Sequence, residues 1–218
     1  MVYVLKIGGS LLNYPADLRN LCKTIESISM EYDLALVPGG GVFADTVRDV
    51  YSNLSIREEV AHDMAVLAMD QYGLLLNSFI KSSRLAQGLE SVSECFKDRK
   101  TAIIVASNIM SGDSKLPRTW DVTSDSIAAY VAQRLDANAL LIVKVVDGLT
   151  DGISKSVLKS VKLNQLDEYT NDMCVDRHIS KILSEKPLKC FIVNGRFPNR
   201  IEDVLRGRES VYTEVVQS

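Results

Sequence analysis

The sequence has few cysteines and no apolar run long enough to cross a membrane. Cys22, Cys95, Cys174 and Cys190 lie far apart and form no C-x-x-C pair, which indicates ordinary thiols rather than a zinc site or a disulfide framework. A membrane span would need about 18 consecutive apolar residues, and the N-terminus lacks the basic start and cleavage site of a signal peptide. We therefore expect a cytoplasmic protein.

The sequence also lacks an excess of positive charge. Its formal net charge is −3 and its isoelectric point is near 5.5. Because nucleic-acid backbones are held by clustered Lys and Arg, we expect a small-molecule ligand rather than nucleic acid. Hydrophobic residues make up 46% and charged residues 24%, which is typical of a folded chain. The 218 residues suit one domain, residues 1–218.

Short, unbroken apolar segments alternate with helical patterns along the chain. Continuous hydrophobicity is typical of strands covered on both faces of a parallel sheet. The predicted strands are Val2–Ile7, Leu34–Val37, Ala102–Ala106, Ala139–Val143 and Cys190–Val193. The predicted helices are Asp17–Met30, Val42–Tyr51, Ser55–Leu76, Thr123–Leu135, Asp176–Ser184 and Pro198–Leu205. This order predicts an α/β fold, a three-layer αβα sandwich with a mainly parallel central sheet.

One polar connection is longer than the fold requires. The segment Asn108–Trp120 is broken by Gly112 and Pro117, which predicts a functional loop or hairpin over the site. In sheets of this kind ligands bind beyond the carboxyl ends of the strands, where the motifs below are also found.

Two glycine-rich loops follow the first two predicted strands. In Lys6-Ile7-Gly8-Gly9-Ser10 the glycines would let backbone N–H groups approach phosphate oxygens, and Lys6 adds a positive charge. Pro38-Gly39-Gly40-Gly41 is also followed by a helix. Either loop alone could be a plain turn, but two such loops after successive strands favour a phosphate site. Neither has the spacing of a Rossmann or P-loop motif.

Two further motifs add charged side chains near the same edge. Thr123 or Ser124 can cap a helix that carries Asp125 in its first turn, where an acidic residue either complements the helix dipole or holds two lysines. Lys144 directly follows the predicted strand Ala139–Val143 and precedes Asp147-Gly148, a pair that indicates either a turn or a nucleotide loop.

These four segments, in this order, resemble the amino acid kinase superfamily. The resemblance implies that Lys6 and Lys144 bridge the transferring phosphoryl group and that Asp125 organises them. It implies nucleotide binding by Gly8, Gly9, Ser10, Lys144, Asp147 and Gly148. It implies an acceptor-side loop at Gly39, Gly40 and Gly41.

Within the superfamily, three stretches look like the small kinases of methanofuran biosynthesis, whose acceptor is an aminomethylfuran methyl phosphate. They are Ala61–Ala65, Arg118–Trp120 with Thr123–Asp125, and Val193–Arg196 through to Thr213. The resemblance implies that His62, Trp120 and Thr123 contact the acceptor. The alternatives are a half-buried packing role for His62 and a core or interface role for Trp120. His178 is expected on a solvated helix.

The resemblance also implies ATP as co-substrate and Mg²⁺ as its counter-ion. Because the motifs contain no carboxylate cluster, we expect no metal-binding residues and Mg²⁺ held by the nucleotide phosphates. We expect an acceptor-side lobe at residues 1–120, a nucleotide-side lobe at residues 121–218, and a homodimer or higher homo-oligomer. Two alternatives share the fold: a nucleoside monophosphate kinase that resembles uridylate kinase, and a storage or regulatory protein that binds ATP without turnover.

Overall fold

The computed structural model describes residues 1–112, 115–151, 154–169 and 175–217. Within these residues, eight strands form one sheet in the order β3-β4-β2-β1-β5-β7-β8-β6. The strands are β1 (Val2–Ile7), β2 (Asp33–Pro38), β3 (Ser83–Ala86), β4 (Thr101–Ile104), β5 (Ala139–Lys144), β6 (Ser160–Lys162), β7 (Cys190–Asn194) and β8 (Tyr212–Val216). Only the β7–β8 pair is antiparallel among the pairs described. The predicted α/β fold with a mainly parallel sheet is confirmed.

Helices pack against both faces of this sheet. They are α1 (Pro15–Ile28), α2 (Gly41–Leu54), α3 (Glu58–Phe79), α4 (Leu89–Lys97), α5 (Ala106–Ser111), α6 (Ser124–Arg134), α7 (Ile179–Glu185) and α8 (Asn199–Leu205). Short 3₁₀ segments occupy Gly9–Asn13 and Leu163–Tyr169. Adjacent residues of β1 belong to different cores, Val4 to one cluster and Leu5 to the other. Both faces are therefore apolar, which explains the unbroken hydrophobic runs.

The prediction was wrong at the end of β4. Ala106 and the first part of the proposed loop, Asn108–Ser111, belong to helix α5. The cause is a carboxylate from α3: Asp70 Oδ1 accepts hydrogen bonds from Ala106 N at 2.7 Å and Ser107 N at 3.4 Å. Such a cap satisfies N–H groups that would otherwise lack partners at a helix start. Two residues of the proposed loop, at positions 113 and 114, lie outside the described residues.

The register of the sheet brings three strand ends together. β1 lies between β2 and β5, with Ile7 opposite Pro38 on one side and Val143 on the other. The three chains therefore leave the sheet at one edge, where Lys6 and Lys144 occupy neighbouring strands. The division into an acceptor-side and a nucleotide-side lobe stays a prediction.

The cysteines and the helices also bear on the expectations from the sequence. Cys22, Cys95 and Cys190 are buried free thiols, whereas Cys174 lies outside the described residues. None of the helices in the described ranges is long and apolar enough to span a bilayer.

Candidate active site

A cavity of about 780 Å³ opens where β1, β2 and β5 end. Its walls come from the two glycine loops, helices α2 and α3, the start of α6, and residues 175–177. This position follows from the fold, because loops at the carboxyl ends of parallel strands form the crevice in which ligands bind. The cavity thus lies where the sequence motifs were expected to meet.

The centre of the cavity holds two lysines on one carboxylate. Lys6 Nζ lies 2.9 Å from Asp125 Oδ1, and Lys144 Nζ lies 2.9 Å from Asp125 Oδ2. Lys6 and Asp125 are buried, and Lys144 is 13% exposed at its side chain. The two strands and the start of α6 therefore supply one compact charged cluster. Burial of such charges is tolerated only where they are paired in this way.

The environment shifts the pKa values within this cluster. Burial alone would raise the pKa of Asp125, but the charges and hydrogen bonds of Lys144 and Lys6 outweigh it and lower the pKa to about 2. Burial lowers the pKa of Lys6. Asp125 raises this pKa in opposition to burial, and the Lys144 charge lowers it further. Asp125 is thus ionised at neutral pH.

Thr123 fixes the start of α6. Its side-chain oxygen caps the helix by accepting a hydrogen bond from Asp125 N at 3.4 Å, as expected for a residue of this type. Thr123 also donates two hydrogen bonds to Asp176, a buried carboxylate just before α7. Asp125 is placed in the first turn by this arrangement.

The two glycine loops lie against each other across the cavity edge. A Cβ on Gly9 would lie 2.1 Å from Gly41 N, so the loops approach as closely as they do because both positions lack side chains. The N–H groups of Gly8 and Gly39 are already engaged, donating to Val143 O and Ile7 O at 2.8 Å each. The cavity is lined by Gly9 and Ser10 of the first loop and by Gly40 and Gly41 of the second.

The far wall contains polar side chains that have no partner. His62 on α3 is 2% exposed, and neither of its ring nitrogens makes a well-aligned hydrogen bond within the described residues, although the Val122 backbone interacts with the ring. Trp120 Nε1 is likewise buried without a partner. Burial lowers the pKa of His62, and the Val122 backbone opposes this shift. Both residues line the cavity, so a ligand could complete their hydrogen bonding.

Two residues that sequence reasoning missed lie beside Trp120. The Tyr51 ring centroid is 5.6 Å from that of Trp120 with the planes at 60°, and the Arg48 guanidinium lies 5.6 Å from the Trp120 ring. Both come from α2, the helix that follows the triple glycine. Their spacing of three residues on a predicted helix was a signal that could have placed them on one face.

Asp147 and Gly148 do not line the cavity. Asp147 accepts a hydrogen bond from Asn194 Nδ2 at 2.9 Å and forms an ion pair with Arg200. The Asn194 bond, followed by the contact with Arg200, lowers the pKa of Asp147 against the effect of burial. A Cβ on Gly148 would lie 2.4 Å from Thr213 Oγ1. Nucleotide binding by these two residues stays a prediction, beside the structural contacts seen here.

Comparison with known proteins decides the family. A model described as the amino acid kinase family matches residues 1–194. The chain belongs to this family. It is a kinase, and its lysine pair and glycine loops lie in the segment that the family model covers.

Individual relatives cover almost the whole chain. A [5-(aminomethyl)furan-3-yl]methyl phosphate kinase of Methanocaldococcus jannaschii is 29% identical over 218 residues, covering 99% of this chain and 98% of the relative. A uridylate kinase of Archaeoglobus fulgidus is 23% identical and covers 99% of this chain and 100% of the relative. The crystal structure of uridylate kinase from Archaeoglobus fulgidus superposes with a TM-score of 0.79, covering 99% of this chain and 100% of that one at 23% identity. The UMP kinase structure from Ureaplasma parvum gives a TM-score of 0.77 at 22% identity, with 99% of each chain covered. The structural likenesses establish the amino acid kinase fold.

Proposed function

We propose that this chain transfers the γ-phosphoryl group of ATP to a small phosphate monoester, namely [5-(aminomethyl)furan-3-yl]methyl phosphate, to form its diphosphate. The observation that carries the transfer step is the cluster of Lys6 and Lys144 on Asp125, with each Nζ 2.9 Å from a carboxylate oxygen. Negative charge on the transferring group spreads over its equatorial oxygens, so two fixed ammonium groups would stabilise the transition state. The M. jannaschii relative, named for this acceptor, supports the choice of substrate.

The proposed reaction needs no general base. A phosphate monoester has a second pKa of about 6, so its dianion predominates at neutral pH. One of its oxygens forms the new bond to the γ-phosphorus while the bond to the β–γ bridging oxygen breaks, and ADP leaves. The residues then act by positioning and by charge. Asp125 could not act as the base in any case, because both of its oxygens face lysine ammonium groups.

The acceptor would occupy the wall that contains His62 and Trp120. His62 could donate a hydrogen bond to the acceptor phosphate, and the Trp120 ring could pack against the flat furan. Gly40 and Gly41 would contribute backbone N–H groups from the opposite side, since the N–H of Gly39 is engaged by Ile7 O. The missing hydrogen bonds of the two ring systems support this placement.

The nucleotide phosphates would lie near Gly9, Ser10 and Lys144. The central carboxylates do not suit a directly bound Mg²⁺, because Asp125 is paired with two lysines and Asp176 accepts six hydrogen bonds. No group of three or more potential metal ligands occurs in the described parts of the chain. In this proposal the phosphates of ATP hold Mg²⁺.

Uridylate kinase activity is the second candidate. Relatives with that name cover most of this chain at 23–26% identity, and the cavity volume of about 780 Å³ leaves room for a nucleotide acceptor beside ATP. The transfer step would be the same. The two candidates differ in the ligand that contacts His62 and Trp120.

The test is a comparison of acceptors at saturating ATP. The purified chain is assayed with the aminomethylfuran phosphate, UMP and glycerol 3-phosphate, and products are identified by mass spectrometry. We expect the furan diphosphate with the highest kcat/KM. A higher kcat/KM for UMP would replace the furan assignment with uridylate kinase activity, and ATP binding without any turnover would leave the binding-protein alternative.

We also propose that two copies pair through α3. Leu67 and Leu74 lie seven residues apart on this helix and are 54% and 58% exposed. That spacing puts them on one face, and covering them would remove apolar surface from water. Light scattering at micromolar concentration should give the mass of a dimer, and Leu67→Glu should shift it to the monomer mass. A monomer mass for the wild-type chain would contradict the proposal.

A further inference from the structure

Asp176 is the most heavily hydrogen-bonded carboxylate described in the cavity wall. Oδ2 accepts from Thr123 N and Thr123 Oγ1 at 2.8 Å each and from Ser126 N at 2.9 Å. Oδ1 accepts from Ser126 Oγ at 2.5 Å, His178 N at 3.2 Å and Ile179 N at 3.0 Å. One side chain thus joins the start of α6 to the start of α7.

This arrangement needs the ionised carboxylate. A protonated carboxyl group would present a donor where each oxygen now accepts from three donors. Burial and the Asp125 charge raise the pKa of Asp176 and the Ser126 and Thr123 bonds only partly offset this, so the six converging donors are what favours the ionised form. Substituting the carboxylate would therefore leave several buried N–H and O–H groups without a partner.

The residues that Asp176 holds are those that flank Asp125. Thr123 precedes Asp125 by two positions and caps its backbone N–H, and Ser126 follows it directly. The carboxylate of Asp125 must reach Lys6 and Lys144 at the same time, each at 2.9 Å. A displacement of about 1 Å in such a cluster is enough to cost a large factor in rate.

We infer that Asp176 is a positioning residue for phosphoryl transfer, which holds the first turn of α6 so that Asp125 aligns Lys6 with Lys144. The inference rests on the roles proposed above for these three charged residues. Asp176 itself lines the cavity but is covered by its six donors, so it acts through Asp125 rather than on the substrate.

The decisive substitution is Asp176→Asn, which keeps the side-chain shape but places an amide where three donors converge. We expect kcat to fall by roughly 10- to 100-fold while the KM for ATP stays within about threefold, because alignment is lost rather than a nucleotide contact. Ser126→Ala removes one of the six hydrogen bonds and should give a smaller loss of the same kind. It also carries the test if Asp176→Asn does not fold.

The pKa of Lys6 gives a second readout, which distinguishes a positioning role of Asp176 from a role in helix capping only. The charged groups facing Lys6 are Asp125 from α6, Lys144 from β5 and Asp176 before α7, and the Asp176 charge raises the pKa of Lys6. Removing that charge should lower the Lys6 pKa further, so activity at alkaline pH should be lost at a lower pH than in the wild-type chain. NMR titration of ¹³C-methylated lysines, with Lys6 identified by its absence in Lys6→Arg, reads the same shift without turnover.

The matched control is Val161→Ala on β6, a buried position that is not part of the cavity wall. It should lower Tm with kcat and the Lys6 titration unchanged.

The inference is overturned if Asp176→Asn lowers Tm in the same way and keeps wild-type kcat. If no tested acceptor is phosphorylated by the wild-type chain, the proposed function fails. An unshifted Lys6 titration in Asp176→Asn would contradict the positioning role of Asp176 and leave the proposed function untouched.

Discussion

The centre and the far wall of the cavity differ in how their polar groups are satisfied. At the centre, Lys6 and Lys144 each pair with one carboxylate oxygen of Asp125, at 2.9 Å. At the far wall, the ring nitrogens of His62 and Trp120 are buried and make no well-aligned hydrogen bond to any residue that the structure describes. The charges of the first region are paired before any ligand binds, whereas the polar ring atoms of the second lack well-aligned hydrogen bonds within the described residues.

This difference indicates that the two regions have different roles, one in phosphoryl transfer and one in ligand binding. Charges that are fixed in advance need no reorganisation when negative charge develops beside them, which suits a transfer step. A buried polar group left without a partner costs roughly 1–3 kcal/mol, and a ligand that supplies the partner recovers it. The centre should therefore govern turnover, and the far wall should govern acceptor binding.

The largest effect is expected at the centre. Lys6→Ala and Lys144→Ala each remove one of the two charges that would stabilise the transferring group, so we expect kcat to fall by roughly 10²–10³-fold. Lys162→Ala, an exposed lysine on β6, is the matched control and should keep wild-type turnover. A correctly folded Lys6→Ala or Lys144→Ala variant with near wild-type kcat would contradict the role of that lysine.

The next effect is expected at the far wall. His62→Ala removes the donor that we propose for the acceptor phosphate, and such a bond to a charged group is worth about 1.5–3 kcal/mol. The KM for the acceptor should rise by roughly tenfold to a hundredfold, with the KM for ATP nearly unchanged. His178→Ala is the control for loss of a histidine. A change in the ATP KM alone would place His62 on the wrong side of the cavity.

Much of this arrangement could be predicted from local sequence. The buried strands are mostly apolar runs; Lys6 is the last residue but one of β1, and Lys144 is the last residue of β5. The short strands β3, β6 and β8 were missed: β6 has three residues, and in both β6 and β8 buried positions alternate with less buried ones. Their apolar signal is too weak to separate from a loop.

The supports of the site were harder to predict because they join distant parts of the chain. Asp176 bonds Thr123 and Ser126 across 53 and 50 positions, and Asp70 caps α5 across 36. Asp176 is the first residue of a predicted helix, where an acidic side chain indicates a local cap, and nothing in its spacing shows that it also holds a second helix. The lysine–aspartate cluster could be expected from the sequence motifs, but the hydrogen bonds that hold it in place could be identified only from the folded structure.

A pH titration sharpens the contrast without changing the acceptor. Because burial lowers the pKa of His62, the folded chain binds this proton less readily than the unfolded chain does. Stability should therefore fall as pH drops below the unfolded histidine pKa of about 6.5. His62→Gln should lose this part of the pH dependence, measured as Tm between neutral and mildly acidic pH. An identical acid dependence in both proteins would show that His62 is not buried in its neutral form.

The smallest effect is expected for the aromatic part of the far wall. Trp120→Leu keeps an apolar surface but loses ring stacking, which contributes about 0.5–1.5 kcal/mol beyond burial. The KM for the furan phosphate should rise roughly twofold to tenfold, and that for glycerol 3-phosphate should change less. Trp120 is the single tryptophan of the chain, so acceptor binding to the wild-type protein should also change its fluorescence. Phe197→Leu, an exposed aromatic outside the cavity wall, is the control. If Trp120→Leu weakened aliphatic and aromatic acceptors equally, the ring would serve as a wall of the cavity rather than as a contact that selects a flat acceptor.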